Sequence, residues 1–208
     1  MCEGSLSAGA PEHDRPQLPL IAVDSAGRYG RGVRYEGPAA AHLRSLLAED
    51  AVTFAEWGTD RVFCEHAGWS PETGLADRRA WWAALIAEPP PDLIRLAICV
   101  AGEGVGYVDL QGTEPDRREL GYVIGGRNRW NRGLGTLAAK AGLAYGFEVL
   151  GLGSIWAEAV DANPASVAIL RRIGMRETGR GAVSEFLGTL SFYRQFEIND
   201  AGFTAQPA

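Results

Sequence analysis

The spacing of hydrophobic residues changes near residue 90, and that change divides the chain into two kinds of structure. Before it, two segments carry a helical period. In PAAAHLRSLLAED, residues 38–50, a proline stands at the head and the leucines recur at helical spacing. In LADRRAWWAALIAE, residues 75–88, Leu75, Trp82, Leu85 and Ile86 fall on one side of a second helix, and the prolines at 89–91 end it. Between them TFAEWGTDRVFCEHAGWSPETG has no clear period. Its aromatics and glycines suit a loop or short helix that shapes a pocket. Upstream, SAGRYGRG (25–32) is turn-rich and VRYEG (33–37) is a candidate first strand.

After the prolines the period falls to two. LIRLAICVA and GVGYVDLQG, separated by a glycine-rich turn, predict a hairpin, and RRELGYVIGG predicts a third strand. A helix is expected from about Leu134 to Leu150, then a strand in SIWAEAV. NPASVAILRRIG has proline just inside its start and Gly174 at its stop, a second late helix. MRETGRG and LGTLSFYRQFEI predict two closing strands. The order of elements predicts one α/β (α+β) domain over residues 20–198, with a flexible tail before it (1–19) and a polar tail after it (199–208).

Composition narrows the function classes. A chain of 208 residues can bury a full core, and 46% hydrophobic with 22% charged residues is a soluble, globular profile. The net charge of −6 argues against nucleic acid or an anionic membrane as a general partner. The three cysteines, Cys2, Cys64 and Cys99, are odd in number and form no CxxC pair. That argues against a disulfide framework and fits a reducing compartment. Cys64 and His66 lie close in sequence without a second ligand pair, so no metal is expected. The N-terminus lacks a basic n-region, and LPLIAV is too short for a signal segment or a membrane span, so the expected location is cytoplasmic.

The chemistry concentrates in RNRWNRGLGTLAAKAG, Arg127–Gly142, where arginines and glycines run straight into a helix. A helix N-terminus offers unpaired N–H groups and partial positive charge, and glycine lets an anion approach the backbone. Gly133, Gly135 and Arg132 therefore suit a polyphosphate. The string lacks the lysine of a P-loop. It also lacks the third glycine of a dinucleotide fingerprint and follows a late strand. Taken alone, its alternative is a tight strand–helix turn that needs small residues.

The ordered set ELGYVI (119–124), WNRGLGTLA (130–138) and AYGFEVLGLGSIWAEAVDANPASVAILRRIGMRETG (144–179) resembles the GNAT superfamily of acyl-CoA N-acyltransferases. Within it the chain looks most like the branch of RimJ/RimL-type ribosomal-protein and aminoglycoside-type acetyltransferases. Trp130 stands where the family's glycine-loop motif usually has Gln or Arg. The resemblance implies a mixed, mostly antiparallel sheet with a central splayed strand pair flanked by helices, and acetyl-CoA as co-substrate. Pantetheine would pair with backbone near Val123 and Ile124, whose neighbourhood would also supply the oxyanion N–H. The pyrophosphate would sit on the amides from Asn131 through Arg132, Gly133 and Gly135 to Thr136. Asn163 would hold pantetheine or order the helix start, and Ser166 would orient the thioester or cap that helix.

Two carboxylates are the candidate catalytic groups. Glu119, opening the central strand, is a general base or a surface acid beside Arg117 and Arg118. Glu158, inside the apolar strand WAEAV, binds or deprotonates an amine, or pairs with an arginine at the core edge. The family commonly has a tyrosine seven residues after the asparagine as proton donor, and here that place is Leu170. Tyr193, in the last strand, either substitutes as the donor or, the preferred reading, packs there, which leaves solvent to protonate the thiolate. The expected acceptor is a small-molecule amine, with a protein N-terminus as the alternative and a non-catalytic acyl-CoA-binding regulatory domain as a third reading. Edge pairing of the C-terminal strands is the expected route to a homodimer.

Overall fold

The computed structural model describes residues 21–23, 29–31 and 41–204. The strand expected at residues 33–37 and the reading of residues 1–19 lie outside them. Two short strands, β1 (Ile21–Val23) and β2 (Tyr29–Arg31), come first. β2 therefore lies inside the segment expected to be turns.

The helix expected over 38–50 is a correction. Ala41–Ser45 is a strand, β3, in which Ala41 and Leu43 are buried and His42 and Arg44 are not. Those five residues alternate with period two and pair along β4 (Leu93–Val100) from Ala41↔Val100 to Ser45↔Leu96. Burying two side chains and pairing on both sides, with β1 and β4, outweighs the small helix preference of Ala and Leu. The chain turns at Asp50, whose carboxylate accepts from Arg44 at 2.6 and 2.8 Å and from the Leu47 N–H at 2.7 Å.

Helices α1 (Asp50–Trp57), α2 (Arg61–Ala67) and α3 (Leu75–Ala87) follow. The aperiodic segment is thus mostly helical. Asp60 caps α2 through the N–H groups of Val62 and Phe63, and Gly68, at φ 68°, ends it. On α3, Leu75 is exposed and Arg78 is buried in its stead. Arg78 Nη2 donates to the carbonyls of Ser70 and Thr73 at 3.2 and 3.0 Å, tying the α2–α3 loop down.

β4 and β5 (Glu103–Gln111) form the expected hairpin, turning at Ala101 and Gly102, both with positive φ. β6 is Arg117–Ile124, α4 is Leu134–Ala144 with a π-helical turn at Tyr145–Val149, and β7 is Ser154–Val160. α5 is Pro164–Arg172, and β8 (Arg176–Phe186) and β9 (Thr189–Asn199) form a long hairpin. The segment read as a polar tail begins with a short helix, α6 (Asp200–Thr204), whose buried Phe203 packs on Phe147 at 5.1 Å between ring centroids.

Among the described residues the nine strands lie in the order β2-β1-β3-β4-β5-β6-β7-β9-β8. β6 and β7 pair in parallel, and the other neighbours are antiparallel. Helix α4 covers one face with Ala138, Ala139, Ala141 and Leu143. α1–α3 cover the other face over β4 and β5, where Phe54, Trp57, Phe63 and Trp82 gather around Tyr107. Gly142 sets how closely α4 sits. A Cβ there would lie 2.6 Å from both Leu120 Cδ1 and Val108 Cγ1. Gly142→Val is therefore expected to cost about 1–3 kcal/mol by overpacking, read as a lower urea midpoint with unchanged slope.

Candidate active site

The central strands diverge. β6 and β7 are in register only at Arg117↔Ser154, Arg118↔Ile155 and Glu119↔Trp156. Beyond Glu119, β6 continues along β5 to Ile124 while β7 continues along β9 to Val160. A V-shaped opening results, with backbone groups of β6 on its wall. Which groups face it follows from the ladder. The Gly125 N–H donates to Val105 O at 2.9 Å, so by the alternation of an antiparallel pair Gly121 and Val123 also point toward β5. Leu120, Tyr122 and Ile124 point into the V. This corrects the expectation for Val123: the N–H groups available in the opening are those of Tyr122 and Ile124. Trp130 Nε1 donates to Ile124 O at 2.9 Å, so the tryptophan in the usual Gln/Arg place ties the glycine loop to the strand.

That loop runs through a 3-10 turn (Arg127–Arg129) into α4. Arg127 is held by an ion pair to Asp60 at the head of α2. Asn131 and Gly133 have φ of 59° and 78°, and Gly133 is the N-cap of α4. Having no side chain, Gly133 cannot cap. The first intrahelical bond is Leu137 N–H to Gly133 O at 3.1 Å, which leaves the amides of Leu134, Gly135 and Thr136 open. Gly135 has a packing purpose besides its open amide. A Cβ there would meet Ile169 Cδ1 at 2.8 Å, so it allows α5 to pack against α4.

A cavity of about 550 Å³ opens at this junction. Of the residues expected to hold the co-substrate, Val123, Ile124, Asn131, Gly133, Gly135, Thr136, Asn163 and Ser166 line it. Arg132 does not; it is exposed, and the arginines on the wall are Arg129 and Arg172. Arg172 was legible in principle. Ala165, Ala168, Ile169 and Arg172 form one helical stripe of α5, and all four line the cavity. No local signal separates Arg129 from its neighbours in the loop. Asn163 Oδ1 accepts from the Ser166 N–H at 3.1 Å, so Asn163 orders the helix start. From α2 come Phe63 and His66, which the sequence reading left unassigned. His66 Nδ1 donates to Val62 O at 2.8 Å, and the ring stands 4.9 Å from Trp130 and 5.5 Å from Phe186, between centroids.

The carboxylates lie apart from this cavity, toward the apex of the V. Glu119 belongs to the face of β6 that carries Val123, and Glu158 to the face of β7 that carries Trp156. The adjacent arginines do not neutralise Glu119. Arg117 Nε donates to Glu197 at 3.0 Å and its guanidinium lies 5.3 Å from the Trp156 ring centroid, while Arg118 donates to Arg117 O. Burial pushes the Glu119 carboxyl above its ordinary range, and the charges of Glu158 and Asp109 push the same way. Asp109 is itself held in two 2.6 Å bonds by Arg95. Glu158 has space because Gly181 stands opposite. A Cβ on Gly181 would approach Glu158 Oε2 to 2.6 Å. Among the described residues neither Glu119 nor Glu158 has an arginine or lysine within ion-pair distance.

The remaining candidates fall elsewhere. Leu170 is a core residue at 1% exposure. Tyr193 pairs with Val160 in register and its hydroxyl lies 3.5 Å from Ser184 Oγ, outside the cavity. Trp57 and Trp82 are core, Trp69 is half-buried and Trp81 is exposed. Cys64 and Cys99 are buried and free. Among the described residues no cluster of His, Cys, Asp or Glu could hold a metal ion, and no helix is long and apolar enough to cross a membrane.

The acetyltransferase (GNAT) domain model matches residues 41–176. Among solved structures, the chain is similar to spermidine N-acetyltransferase from Vibrio cholerae in complex with CoA and spermine. The two share 19% identity at a TM-score of 0.67, covering 79% of this chain and 98% of that one. It is also similar to AAC(6')-Ib in complex with ribostamycin and coenzyme A, with 15% identity, TM-score 0.65 and coverage of 81% and 98%. A GNAT-family acetyltransferase from Bacillus anthracis is 21% identical at a TM-score of 0.63, over 77% and 95%.

Proposed function

Because the chain belongs to the GNAT acetyltransferase family, we propose that it moves the acetyl group of acetyl-CoA to a primary amine of a small cationic molecule by direct attack. The observation that carries the acceptor class is the pair Glu119 and Glu158, two carboxylates without a cationic partner at the apex of the strand opening. An ammonium group is the natural counter-charge for them. The co-substrate half rests on the open α4 amides with Arg129 and Arg172 on the same wall, a cradle for a pyrophosphate. Structures similar in fold carry CoA together with spermine or an aminoglycoside, which supports the same acceptor chemistry.

The amine binds between the two acids and loses its proton to Glu119, directly or through a water. Its nitrogen attacks the thioester carbonyl, a C–N bond forms, the C–S bond breaks with the electron pair leaving on sulfur, and the nitrogen sheds its second proton to water. The N–H of Tyr122 or Ile124 stabilises the developing oxyanion. Glu158 holds the cation and, by its charge, keeps the Glu119 carboxyl basic.

A thiol-release assay over polyamines, aminoglycosides and peptide N-termini tests this reading. Turnover confined to peptides would overturn the small-amine acceptor, and no turnover with any amine would overturn the transfer reading. Glu158→Gln is expected to raise KM for a cationic acceptor about tenfold or more. It also removes a charge that raises the Glu119 pKa. The acid limb of the kcat/KM profile should therefore move to lower pH.

A further inference from the structure

Tyr122 is the one cavity-lining side chain whose polar atom is both fully buried and without a hydrogen bond of ordinary geometry among the described residues. Its ring packs beneath α4, 3.8 Å from where a Cβ on Gly135 would stand, and Ser166 is the neighbouring hydroxyl. A buried hydroxyl left unpaired is costly, so its retention on a cavity wall points to an acceptor supplied by what enters the cavity. Resting on the acetyl-transfer reading, we propose that the Tyr122 hydroxyl donates a hydrogen bond to the sulfur of coenzyme A, with Ser166 orienting it.

Position and charge favour the sulfur over the other acceptors of the molecule. The phosphates are matched by open amides and by Arg129 and Arg172 at the loop. Tyr122 stands three residues past Glu119, about 10 Å along β6 toward that loop, with its side chain on the α4 face of the strand and that of Glu119 on the other. The acetyl group must reach the amine, so the atom it leaves behind lies in the stretch of strand that Tyr122 occupies. Neither Tyr122 nor Ser166 is charged, which suits a neutral thioester in the ground state and an anion only as the C–S bond breaks.

The donor keeps its proton. Burial pushes the Tyr122 hydroxyl up to about 12, and the Ser166 hydroxyl works against that rise only in part. A thiol titrates near 8.5, so handing the phenolic proton to the thiolate is uphill by about three pH units. The sulfur is therefore stabilised as a hydrogen-bonded thiolate and takes its proton from water, while the O–H bond of Tyr122 stays intact. This accounts for a core leucine at position 170 without leaving the leaving group unattended.

Calorimetry with CoA and with desulfo-CoA, at a pH where the thiol is ionised, separates the sulfur contact from the rest of the site. Tyr122→Phe, which keeps the ring, is expected to weaken CoA about tenfold and leave desulfo-CoA unchanged. By ultraviolet titration, the thiol of bound CoA should have a pKa about one unit higher on the variant than on the wild type. Ser166→Ala should shift both readouts in the same direction by less, which keeps the test open if Tyr122→Phe folds poorly. Equal weakening of both ligands would reduce Tyr122 to packing, and no change in either would overturn the sulfur contact. A folded wild type that binds neither ligand would overturn the acetyl-CoA reading itself, and this inference with it.

Discussion

Glu119→Gln is expected to lose about 10²–10⁴-fold in kcat/KM while the folded protein becomes more stable at neutral pH. The two effects share one cause. The ordinary carboxyl value is 4.5, and in the folded protein burial, Glu158 and Asp109 raise it. A carboxylate whose folded pKa lies above its unfolded one destabilises the fold when ionised. The penalty is absent below the unfolded value and grows as pH rises through it. Glutamine removes the penalty, so the variant should gain over the wild type in urea at pH 7 and show no gain at pH 4. A general base obeys the same displacement: wild-type kcat/KM should fall as pH drops through the raised value, above the range of an ordinary glutamate. A variant that loses activity because it loses structure would show the opposite sign in urea. Retained activity with the stability gain would reduce Glu119 to a strained surface acid.

Gly133→Asp is expected to weaken acetyl-CoA binding about a hundredfold or more by calorimetry while the protein stays folded, with about 1 kcal/mol of stability lost to the positive φ. Gly133 sits at φ 78°, a conformation that aspartate tolerates better than most side chains, and a Cβ there meets nothing within 4 Å. A carboxylate at the N-cap also favours the helix dipole, which offsets part of the roughly 1–2 kcal/mol of strain that a side chain meets at this φ. The same carboxylate occupies the position where a pyrophosphate would meet the open amides of Leu134, Gly135 and Thr136. Unchanged affinity would remove the phosphate from this loop and leave RNRWNRGLGT a structural turn.

Much of the domain was legible as a sequence because its second half is built from locally decided elements. The hairpin of β4 and β5, the helix opened by Asn163 and Pro164, and the stop at Gly174 each rest on a turn residue or cap within a few positions of the element it bounds. Family membership was carried by the spacing from Glu119 to Gly174 for the same reason. The first half misled where pairing overrode propensity. Ala41–Ser45 has the composition of a helix and is a strand because β4 offers it a partner. Leu75 and Arg78 exchange their expected places because the α2–α3 loop presents carbonyls that only a guanidinium reaches.

In the site, the sequence by itself determined the residue types: a loop with positive-φ glycine ahead of a helix, an asparagine cap, and acids on the two central strands. These follow from local backbone chemistry, which a short window contains. Tertiary structure decided which of them meet. Strand pairing turned the N–H groups of Tyr122 and Ile124 rather than Val123 into the opening. Helix packing put Arg129 and Arg172 on the wall and left Arg132 in solvent. The parting of β6 from β7 after Glu119 left two carboxylates without cations, and packing beneath α4 buried the Tyr122 hydroxyl beside Ser166. Such properties belong to pairs of segments distant in sequence, and the directions in which a backbone group or a charge points are fixed only when both segments are in place.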